Sequence, residues 1–435
     1  MSTIVVIACP PIPGHTNPLL PYAAYLRHQG GFEVHFIGGD AFAPAIMQTG
    51  SIFHQIEDSR VPDSQHQLPP TPERLIDKVK HAFIDTTAHR MRSLQGVLES
   101  LRAAHPTREV VILQEIMFMG VWPFLLDAPL PAGYSTFPTV ITFNTAPLAV
   151  SSIDTAPFES GFPPDASPEG RARNVAMYAA GKPLQDDLVN YANAIYSQLG
   201  AKQKMTSMDD WCYLSGRLLQ PCSPSIEYPR SDLSPVVTFI GGLSRKRNPI
   251  PIVLNLPGGL VSDKLSKKKR IVVVTQGTLV LDYTALIIPT ICALADREDL
   301  LVIALLGVKG ASLPDIEIPS NTKVFDYLAY DAILPYTDVF VLNGGYGGFM
   351  HAVMHAVPME IAGAGPDKAE VASRGEWAGI AVNMKTDRPG VGDLRRAIDK
   401  VMESKQMKSR CLHIQKENED LNTLQQVERV IRGQT

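Results

Sequence analysis

The sequence lacks the features that mark secreted and membrane proteins. It has only five cysteines, and they lack the paired spacing of a zinc site, which predicts reduced, structural thiols inside a cell. Its apolar runs are far shorter than the roughly 20 residues of a membrane span, and no basic region precedes the apolar N-terminus as in a signal peptide. We therefore expect a cytoplasmic protein without a membrane span.

Excess positive charge is also missing. The formal net charge is −4, so no broad basic surface is available for nucleic acid. The short basic run at 264–270 (KLSKKKR) is interpreted as a solvated approach to a strand, because one such run in an acidic protein is weak support for an anion-binding patch. We expect no nucleic-acid partner.

Several metal and cofactor motifs are absent as well. There is no P-loop, no clean G-x-G-x-x-G after the first strand, and no D-x-D pair to hold a divalent ion against a nucleotide diphosphate. His351 and His355 have the i, i+4 spacing of metal ligands, but Ala352 stands where H-E-x-x-H has its glutamate, and no third ligand is apparent. The sequence predicts no metal and no cofactor.

What is present is a repeated strand and helix pattern. Thr3–Ala8 (TIVVIA) is typical of a strand buried in a parallel sheet. Asn17 followed by Pro18 predicts a helix start, with Asn17 as its N-cap, and 32–37 predicts the second strand. This β-loop-α-β order is the unit of a doubly wound sheet.

The opening pattern recurs at Arg270–Thr275 (RIVVVT), after a proline-containing stretch at 241–259. The sequence therefore predicts an α/β fold with two Rossmann-like domains facing a central cleft, where ligands bind at the carboxyl ends of strands. The expected limits are a first domain at 1–242, a linker at 243–266, a second domain at 267–415, and a helix at 416–435 that packs back on the first domain. Further strands are expected at 109–114, 139–144, 236–240, 300–306, 323–325 and 339–342.

His15 is the first candidate for chemistry. It follows the first predicted strand, in the run Pro13-Gly14-His15, where the active site of an α/β protein is expected. A neutral imidazole is suited to general-base work near pH 7. The alternative, a structural loop histidine, carries about equal weight from this position alone.

The second candidate is the turn Asn343–Gly348 (NGGYGG), which lies between a predicted strand and a predicted helix. Four of its six residues are glycine, so backbone N–H groups can approach a diphosphate at the helix N-terminus. An ordinary tight turn is the alternative, but it needs fewer glycines.

Together and in this order, the motifs resemble the GT-B glycosyltransferases of the UDP-glucosyltransferase type, which include macrolide glycosyltransferases. The motifs are the G-H-x-x-P loop at 14–18, the TQGT strand end at 275–278, and the run LNGGYGGFMHAVMHAVP followed by GPDKAEVASRGEWAGI. The likeness covers nearly the whole chain. It implies a metal-independent, inverting enzyme that moves a hexose, with glucose favoured, from a UDP-sugar to a hydroxyl of a small aromatic or polyketide-like acceptor.

The resemblance also implies roles for matching positions. His15 would be the general base, and Glu115 stands where the family has an aspartate that orients the histidine. The implied donor contacts are Gly14, Gln276, Thr278, Tyr327, Leu328, Asn343, Gly344, Gly345, Tyr346, Gly347, Gly348, His351, Asp367 and Lys368. By position only, the acceptor contacts are predicted at Phe83, Phe118, Trp122 and Asn144.

Within the donor set, Tyr327 would stack on the uracil, and the backbone of Leu328 would pair with the edge of the base. Four positions depart from the family pattern, and two of them, His351 and Lys368, bear on which sugar is read. They are Asn343 for a phosphate-binding histidine, Gly348 for a small hydroxyl residue, His351 for a ribose-binding glutamate, and Lys368 for a glutamine.

Two other hypotheses are a non-catalytic glycosyltransferase-like binding or activator protein, and a nucleotide-sugar epimerase or hydrolase. The replaced donor residues favour the first slightly, whereas His15 with an acid at position 115 favours transfer to a hydroxyl. The sequence leaves the oligomeric state open.

Overall fold

The computed structural model describes residues 3–56, 76–77, 79–250, 269–278, 280–314 and 316–434. In the described chain, two parallel β-sheets carry helices on their faces, which is the two-domain α/β architecture expected from the sequence. Most of the expected linker, from 251 to 266, lies outside the described residues. The domain limits therefore stay predictions.

The first sheet contains seven strands within the described residues, in the order β3-β2-β1-β4-β5-β6-β7. β1 pairs in parallel with both β2 and β4, so the strand order reverses between β1 and β4 and opens a crevice at their carboxyl ends. The bounds are β1 Ile4–Ala8, β2 Glu33–Gly39, β3 Ile52–Ile56, β4 Val110–Glu115, β5 Thr139–Phe143, β6 Leu218–Gln220 and β7 Val237–Phe239.

The second sheet repeats this plan with six strands in the described part of the chain, in the order β10-β9-β8-β11-β12-β13. β8 pairs in parallel with β9 and β11, which places the second crevice at the carboxyl ends of β8 and β11. The bounds are β8 Arg270–Thr275, β9 Leu300–Leu305, β10 Thr322–Phe325, β11 Val339–Leu342, β12 Met359–Ile361 and β13 Ala381–Asn383.

The helices follow the strands in chain order. Those before β8 are α1 Pro13–Thr16, α2 Leu20–His28, α3 Ala43–Gln48, α4 Thr87–Ala104, α5 Trp122–Leu125, α6 Pro168–Gln198 and α7 Asp210–Tyr213. Those after β8 are α8 Ile287–Ala293, α9 Tyr330–Ile333, α10 Tyr346–Met354, α11 Pro366–Trp377, α12 Val391–Glu403, α13 Lys405–Leu421 and α14 Thr423–Ile431. Short turns are 3₁₀ at Asn17–Leu19, Asp40–Phe42, Ile116–Phe118, Arg245–Arg247 and Leu334–Tyr336, and π-helical at Lys80–Ile84.

The expected helix start at Asn17 is wrong by one turn. The helical backbone begins at Pro13, and Ile12 is the extended N-cap with φ −127° and ψ 133°. Proline fits this place because its fixed φ matches the first helical turn and its missing N–H is not needed there. Asn17 instead caps the C-terminal end of α1. His15 consequently lies within a helical turn rather than in an irregular loop.

Helix α14 packs on the first sheet, although it follows the second sheet in the chain. Its apolar side chains Leu424, Val427 and Ile431 are buried in one cluster with residues of β1 and α2. The hydroxyls of Tyr22 and Thr423 lie 2.9 Å apart, which adds a polar contact at the start of the helix. The chain therefore crosses between the two domains twice.

A buried ion cluster joins α11 to the first domain. The Arg374 guanidinium donates to the carboxylates of Glu227 at 2.9 Å and Glu370 at 2.5 Å. It also donates to the Leu148 carbonyl at 3.0 Å and lies 4.4 Å from the centre of the Tyr228 ring. The charges are thus paired and hydrogen-bonded, which is the condition for burying them.

Two further expectations concern cysteine and membrane segments. The five cysteines are free thiols, with Cys292 exposed and the others buried, which agrees with a structural role. In the part of the chain that the structure describes, no helix is long and apolar enough to cross a membrane.

Candidate active site

His15 and Glu115 meet at the crevice of the first sheet. The His15 Nδ1 and Glu115 Oε1 atoms lie 2.8 Å apart. Glu115 ends β4 and is fully buried, whereas His15 follows β1 and keeps 22% of its side chain exposed. Since Nδ1 faces the carboxylate, Nε2 is the ring nitrogen left for a ligand. The pair implied by the family resemblance thus forms in this chain, with glutamate as the acid.

Thr145, which the sequence analysis missed, completes the surroundings of the Glu115 carboxylate. The Thr145 hydroxyl donates to Glu115 Oε1 at 2.6 Å and lies 3.4 Å from His15 Nδ1. The other carboxylate oxygen accepts from the Met117 N–H at 2.9 Å. Both oxygens of this buried acid therefore have partners, which fixes the orientation of the carboxylate plane.

Arg90, also missed, supplies a buried positive charge next to this carboxylate. Only 1% of its surface is exposed, and it donates to the carbonyls of Met117 and Phe118. Burial lowers the pKa of Arg90 to about 10, while the nearby charge of Glu115 opposes that change. The guanidinium therefore stays charged at neutral pH and offsets the negative charge of Glu115.

The four predicted acceptor residues lie in different environments. The Phe83 ring is centred 5.5 Å from the His15 ring, so it forms a wall next to the exposed imidazole. Phe118 and Trp122 are fully buried and pack in two core clusters, and contact with an acceptor would require their exposure. Asn144 is 3% exposed and binds neighbouring protein groups. Their assignment as acceptor contacts stays a prediction.

The turn Asn343–Gly348 lies at the crevice of the second sheet, after β11. Asn343 Nδ2 donates to the Gln276 carbonyl at 2.5 Å, which ties the ends of β11 and β8 together. Gly344 has a φ of +80°, and a Cβ there would lie 2.9 Å from the Lys368 carbonyl oxygen. Glycine is required by both the conformation and the close approach. No side chain caps the N-terminus of α10, which leaves its first backbone N–H groups without a side-chain partner at the crevice.

The Gln276 side chain makes intramolecular contacts at the end of β8, and its contact with a diphosphate stays a prediction. Its Nε2 donates to the Asp282 carbonyl at 2.9 Å, and its Oε1 accepts from the N–H groups of Leu286 and Ile287 at 3.1 Å and 2.9 Å. The side chain thereby caps α8. Thr278, two residues further on, is exposed at the crevice.

Tyr327 and Leu328 follow β10 at the edge of the second crevice. Tyr327 is 52% exposed, and Lys309 Nζ lies 5.5 Å from the centre of its ring. The Asp326 carboxylate accepts from the N–H groups of Gly310 and Tyr327, both at 2.7 Å. This arrangement orders the loop and leaves an accessible aromatic face.

His351 and His355 share one acid, Asp331. Its Oδ1 atom lies 2.8 Å from His351 Nδ1 and 2.8 Å from His355 Nε2. Burial raises the pKa of Asp331, but the hydrogen bonds from the two histidines outweigh it and hold that pKa well below its usual range. His351 keeps 45% of its side chain exposed. In the described chain no three His, Cys, Asp or Glu residues form a metal-ligand set.

Asp367 and Lys368 begin α11, next to the glycine turn. A Cβ at Gly363 would lie 2.6 Å from the Asn343 carbonyl oxygen and 2.9 Å from the Lys368 Cβ, so these segments are in close contact. Glu159, from the loop between β5 and α6 of the first domain, lies nearby. Burial and the negative charges of Glu370 and Asp367 raise the pKa of Glu159 to about 7. The structure therefore brings the glycine turn, the start of α11 and a first-domain loop together.

Comparison with known proteins identifies the family. A family model described as "UDP-glucoronosyl and UDP-glucosyl transferase" matches residues 169–424, more than half of the 435 residues. The chain belongs to this family. UDP-glucosyltransferase 1 of Beauveria bassiana (strain ARSEF 2860) is 36% identical to it over 98% of this chain and 94% of the relative. UDP-glucosyltransferase A1 of Starmerella bombicola is 33% identical over 98% and 91%.

Solved structures agree on the fold. The glycotransferase of kitacinnamycin superposes with a TM-score of 0.75 and 17% identity, covering 100% of this chain and 99% of that one. With the family assignment, this establishes a GT-B fold and a UDP-dependent glycosyltransferase, the enzyme class predicted from the sequence. Transfer of a sugar from a UDP-sugar is the activity of this member of the UDP-glucosyl transferase family.

Proposed function

We propose that this transferase moves glucose, with inversion, from UDP-glucose to a hydroxyl of a small aromatic or polyketide-like acceptor, with His15 as the general base. The observation that carries the proposal is the 2.8 Å contact between His15 Nδ1 and Glu115 Oε1. A histidine whose Nδ1–H donates to a buried carboxylate presents an unprotonated Nε2, which is the form a general base needs.

The proposed reaction is a single displacement. His15 Nε2 takes the proton of the acceptor hydroxyl as the oxygen attacks the anomeric carbon of the sugar. The bond between that carbon and the diphosphate oxygen breaks, and UDP leaves with the bonding electron pair. The Glu115 carboxylate stabilises the imidazolium that forms. Because attack and departure occur on opposite faces, the anomeric configuration inverts.

The leaving diphosphate is proposed to bind at the N-terminus of α10, where helix N–H groups and the helix dipole favour negative charge. The glycines of Asn343–Gly348 allow the phosphate oxygens to approach the backbone. No metal or cofactor is required in this scheme. Tyr327, with its accessible ring, is proposed to stack on the uracil.

The proposed acceptor class follows from the surroundings of His15. The Phe83 ring lies 5.5 Å from the imidazole ring, and Ile12 precedes α1 with its side chain against the same apolar cluster as Phe83. Such a wall favours a flat, apolar molecule that brings one hydroxyl to Nε2. The choice of glucose is supported by the names of the UDP-glucosyltransferase relatives.

The test is an assay of the purified protein with a panel of UDP-sugars and phenolic acceptors, run in parallel with EDTA and with added Mg²⁺. We expect UDP release matched by an equal amount of glycoside, with UDP-glucose the preferred donor. Starting from the α-linked donor, the glycoside is expected to be the β-anomer by proton NMR coupling. Tyr327→Ala is expected to weaken UDP binding about 5- to 150-fold, the range of base–aromatic stacking.

His15→Ala is expected to lower kcat about 10²- to 10⁴-fold, the usual contribution of a general base. The matched control is His413→Ala, since His413 is an exposed histidine on α13, and its activity is expected to equal that of the unaltered protein. UDP release without glycoside would indicate a hydrolase. No turnover on a broad panel would indicate a non-catalytic binding protein, and activity that requires a divalent ion would contradict the metal-independent scheme.

A further inference from the structure

A chain of hydrogen bonds connects the catalytic pair of the first domain to the glycine turn of the second. It begins at the Glu115 oxygen that faces His15, which also accepts from the Thr145 hydroxyl at 2.6 Å. Thr145 lies just after β5, outside the strand. The position of its hydroxyl therefore depends on how residues 144–146 are held.

Gln220 holds those residues in place. Its Oε1 accepts from Asn144 Nδ2 at 2.6 Å, and its Nε2 donates to the Ala146 carbonyl at 3.1 Å. Asn144 also donates to the Ala146 carbonyl at 2.9 Å and accepts from the Ala146 N–H. Gln220, at the end of β6, thus binds the side chain of Asn144 and the backbone carbonyl of Ala146, the residues on either side of Thr145.

The same amide reaches the second domain. Gln220 Nε2 lies 3.3 Å from the hydroxyl of Tyr346, the first residue of α10 and the centre of the glycine turn. Gln220 is fully buried, so an amide N–H that lost this partner would not find water in its place. The placement of Tyr346 therefore influences the orientation of Gln220.

The Tyr346 hydroxyl is suited to remain neutral in this position. Burial raises its pKa well above the usual value, and the nearby Cys222 thiol adds to that change. The tyrosine ring is held by stacking on Phe349, with ring centroids 6.2 Å apart and planes at 20°. Removal of the hydroxyl alone would thus leave the ring packing in place.

We propose that Gln220 and Tyr346 are positioning residues for the transfer reaction, which couple the diphosphate-binding turn to the carboxylate that orients His15. In this arrangement the turn determines the position of the Tyr346 hydroxyl, which in turn orients the Gln220 amide. Gln220 holds residues 144–146 in place, and the Thr145 hydroxyl then orients the Glu115 carboxylate. The proposal rests on the proposed function, in which His15 is the base. Neither Gln220 nor Tyr346 need touch the reacting atoms through its side chain.

The test uses the full chain and the glycoside assay, with kcat and KM measured separately. Tyr346→Phe is expected to lower kcat about 3- to 10-fold, as for the loss of one neutral hydrogen bond, and to leave KM for the UDP-sugar and the melting temperature nearly unchanged. Gln220→Met is expected to lower kcat at least as much. Tyr134→Phe is the matched control, because its buried hydroxyl donates to the Leu98 carbonyl and takes no part in the hydrogen-bond chain, and its kcat is expected to be unchanged.

A double-mutant cycle tests the coupling itself. Thr145→Val is expected to lower kcat about 10- to 100-fold, and Thr145→Ser to restore most of it. Because Tyr346 acts through Thr145, the double variant of Thr145→Val with Tyr346→Phe is expected to be no slower than Thr145→Val alone. Two effects that multiply, or a Tyr346→Phe change confined to KM, would overturn the proposal.

The two proposals fail in different ways. Full activity of His15→Ala would exclude His15 as the general base and contradict the proposed function. Loss of activity in His15→Ala, together with an unchanged kcat in Tyr346→Phe and Gln220→Met, would leave the proposed function intact and exclude the coupling. If Gln220→Met does not fold, Tyr346→Phe and the double-mutant cycle still decide the matter.

Discussion

Arg374 on the second domain donates to Glu227 on the first over 2.9 Å, and only 1% of each side chain is exposed. The same guanidinium also holds Glu370 of its own helix. Helix α11 therefore carries the proposed sugar-reading residues at its start and an interdomain attachment one and two turns later. This buried charge therefore attaches the proposed donor site to the first domain.

Arg374→Met is the first prediction. It leaves the carboxylates of Glu227 and Glu370 buried without their cation, and breaking a buried pair in this way costs about 3–5 kcal/mol. We expect the unfolding free energy of the first transition in urea to fall by that amount, and its midpoint to move to a lower urea concentration. The control is Arg388→Met, whose pair with Asp282 is exposed and contributes at most about 1 kcal/mol. Equal effects of the two changes would contradict a stabilising role for the buried cluster.

Changes at Glu115 test the orientation of His15, the proposed general base. Glu115→Gln keeps the size of the side chain but removes the charge that favours Nδ1–H and stabilises the imidazolium, so we expect kcat to fall about 10²- to 10⁴-fold. Glu115→Asp keeps the charge but shortens the reach to His15 and Thr145, and an intermediate loss is expected. KM for the UDP-sugar should change little in both, as initial-rate kinetics will show. A Gln variant as active as the Asp variant would exclude the charge as the cause.

Gly120→Ala is expected to disturb the packing of α4 near Glu115, the carboxylate proposed to orient His15. A Cβ there would lie 2.6 Å from the Arg90 carbonyl carbon and 2.8 Å from the Met91 nitrogen, both backbone atoms of α4. We expect a loss of about 1–3 kcal/mol in unfolding free energy, as for other overpacking changes, and lower kcat. Gly96→Ala is the control. Gly96 lies in α4, and no atom lies near its Cβ position, so this variant should be more stable by up to about 1 kcal/mol.

The buried carboxyl group of Glu360 makes the unfolding free energy depend on pH. Both of its carboxylate oxygens are buried without a hydrogen-bond partner, and burial raises its pKa from 4.5 to about 8. A raised pKa in the folded state means that the stability linked to this group is complete below about pH 4.5 and is lost as the pH rises to about 8. By pH 7 the loss is about 3 kcal/mol at 1.36 kcal/mol per unit.

Glu360→Gln is therefore expected to flatten the decline in unfolding free energy between pH 5 and pH 8. The difference between the two pH curves isolates this group, because all other titrating residues are shared. Glu317→Gln, at an exposed loop position, should leave the curve unchanged. Parallel curves for Glu360→Gln and the unaltered protein would show that Glu360 titrates near its ordinary pKa in the folded state.

The sequence predicted the parts of this structure that local patterns determine. The β-branched runs of β1 and β8 and the glycine turn after β11 are such parts, because burial on both faces and left-handed backbone restrict residue choice within a few positions. By contrast, α6 was missed. Pro183 lies inside it, and an internal proline normally ends a helical pattern.

The candidate site was predictable only where a motif marks it. His15 and Glu115 were found through the family pattern, although they are separated by 100 positions. Thr145 and Gln220 were missed because a single polar residue at a strand end has no periodic signal, and their partners are set by the order of strands in the sheet. The helix start at Pro13 was missed because Asn17 with Pro18 formed the stronger local signal.

The packing of α14 has a consequence for synthesis of the protein. The residues that cover β1 and α2, among them Leu424 and Val427, leave the ribosome only after the whole second sheet has been made. During that interval the apolar side chains of the first domain that α14 covers are exposed. Such a surface promotes aggregation and is bound by chaperones. The first domain is translated before the second, but its hydrophobic core is complete only after the second domain has been translated.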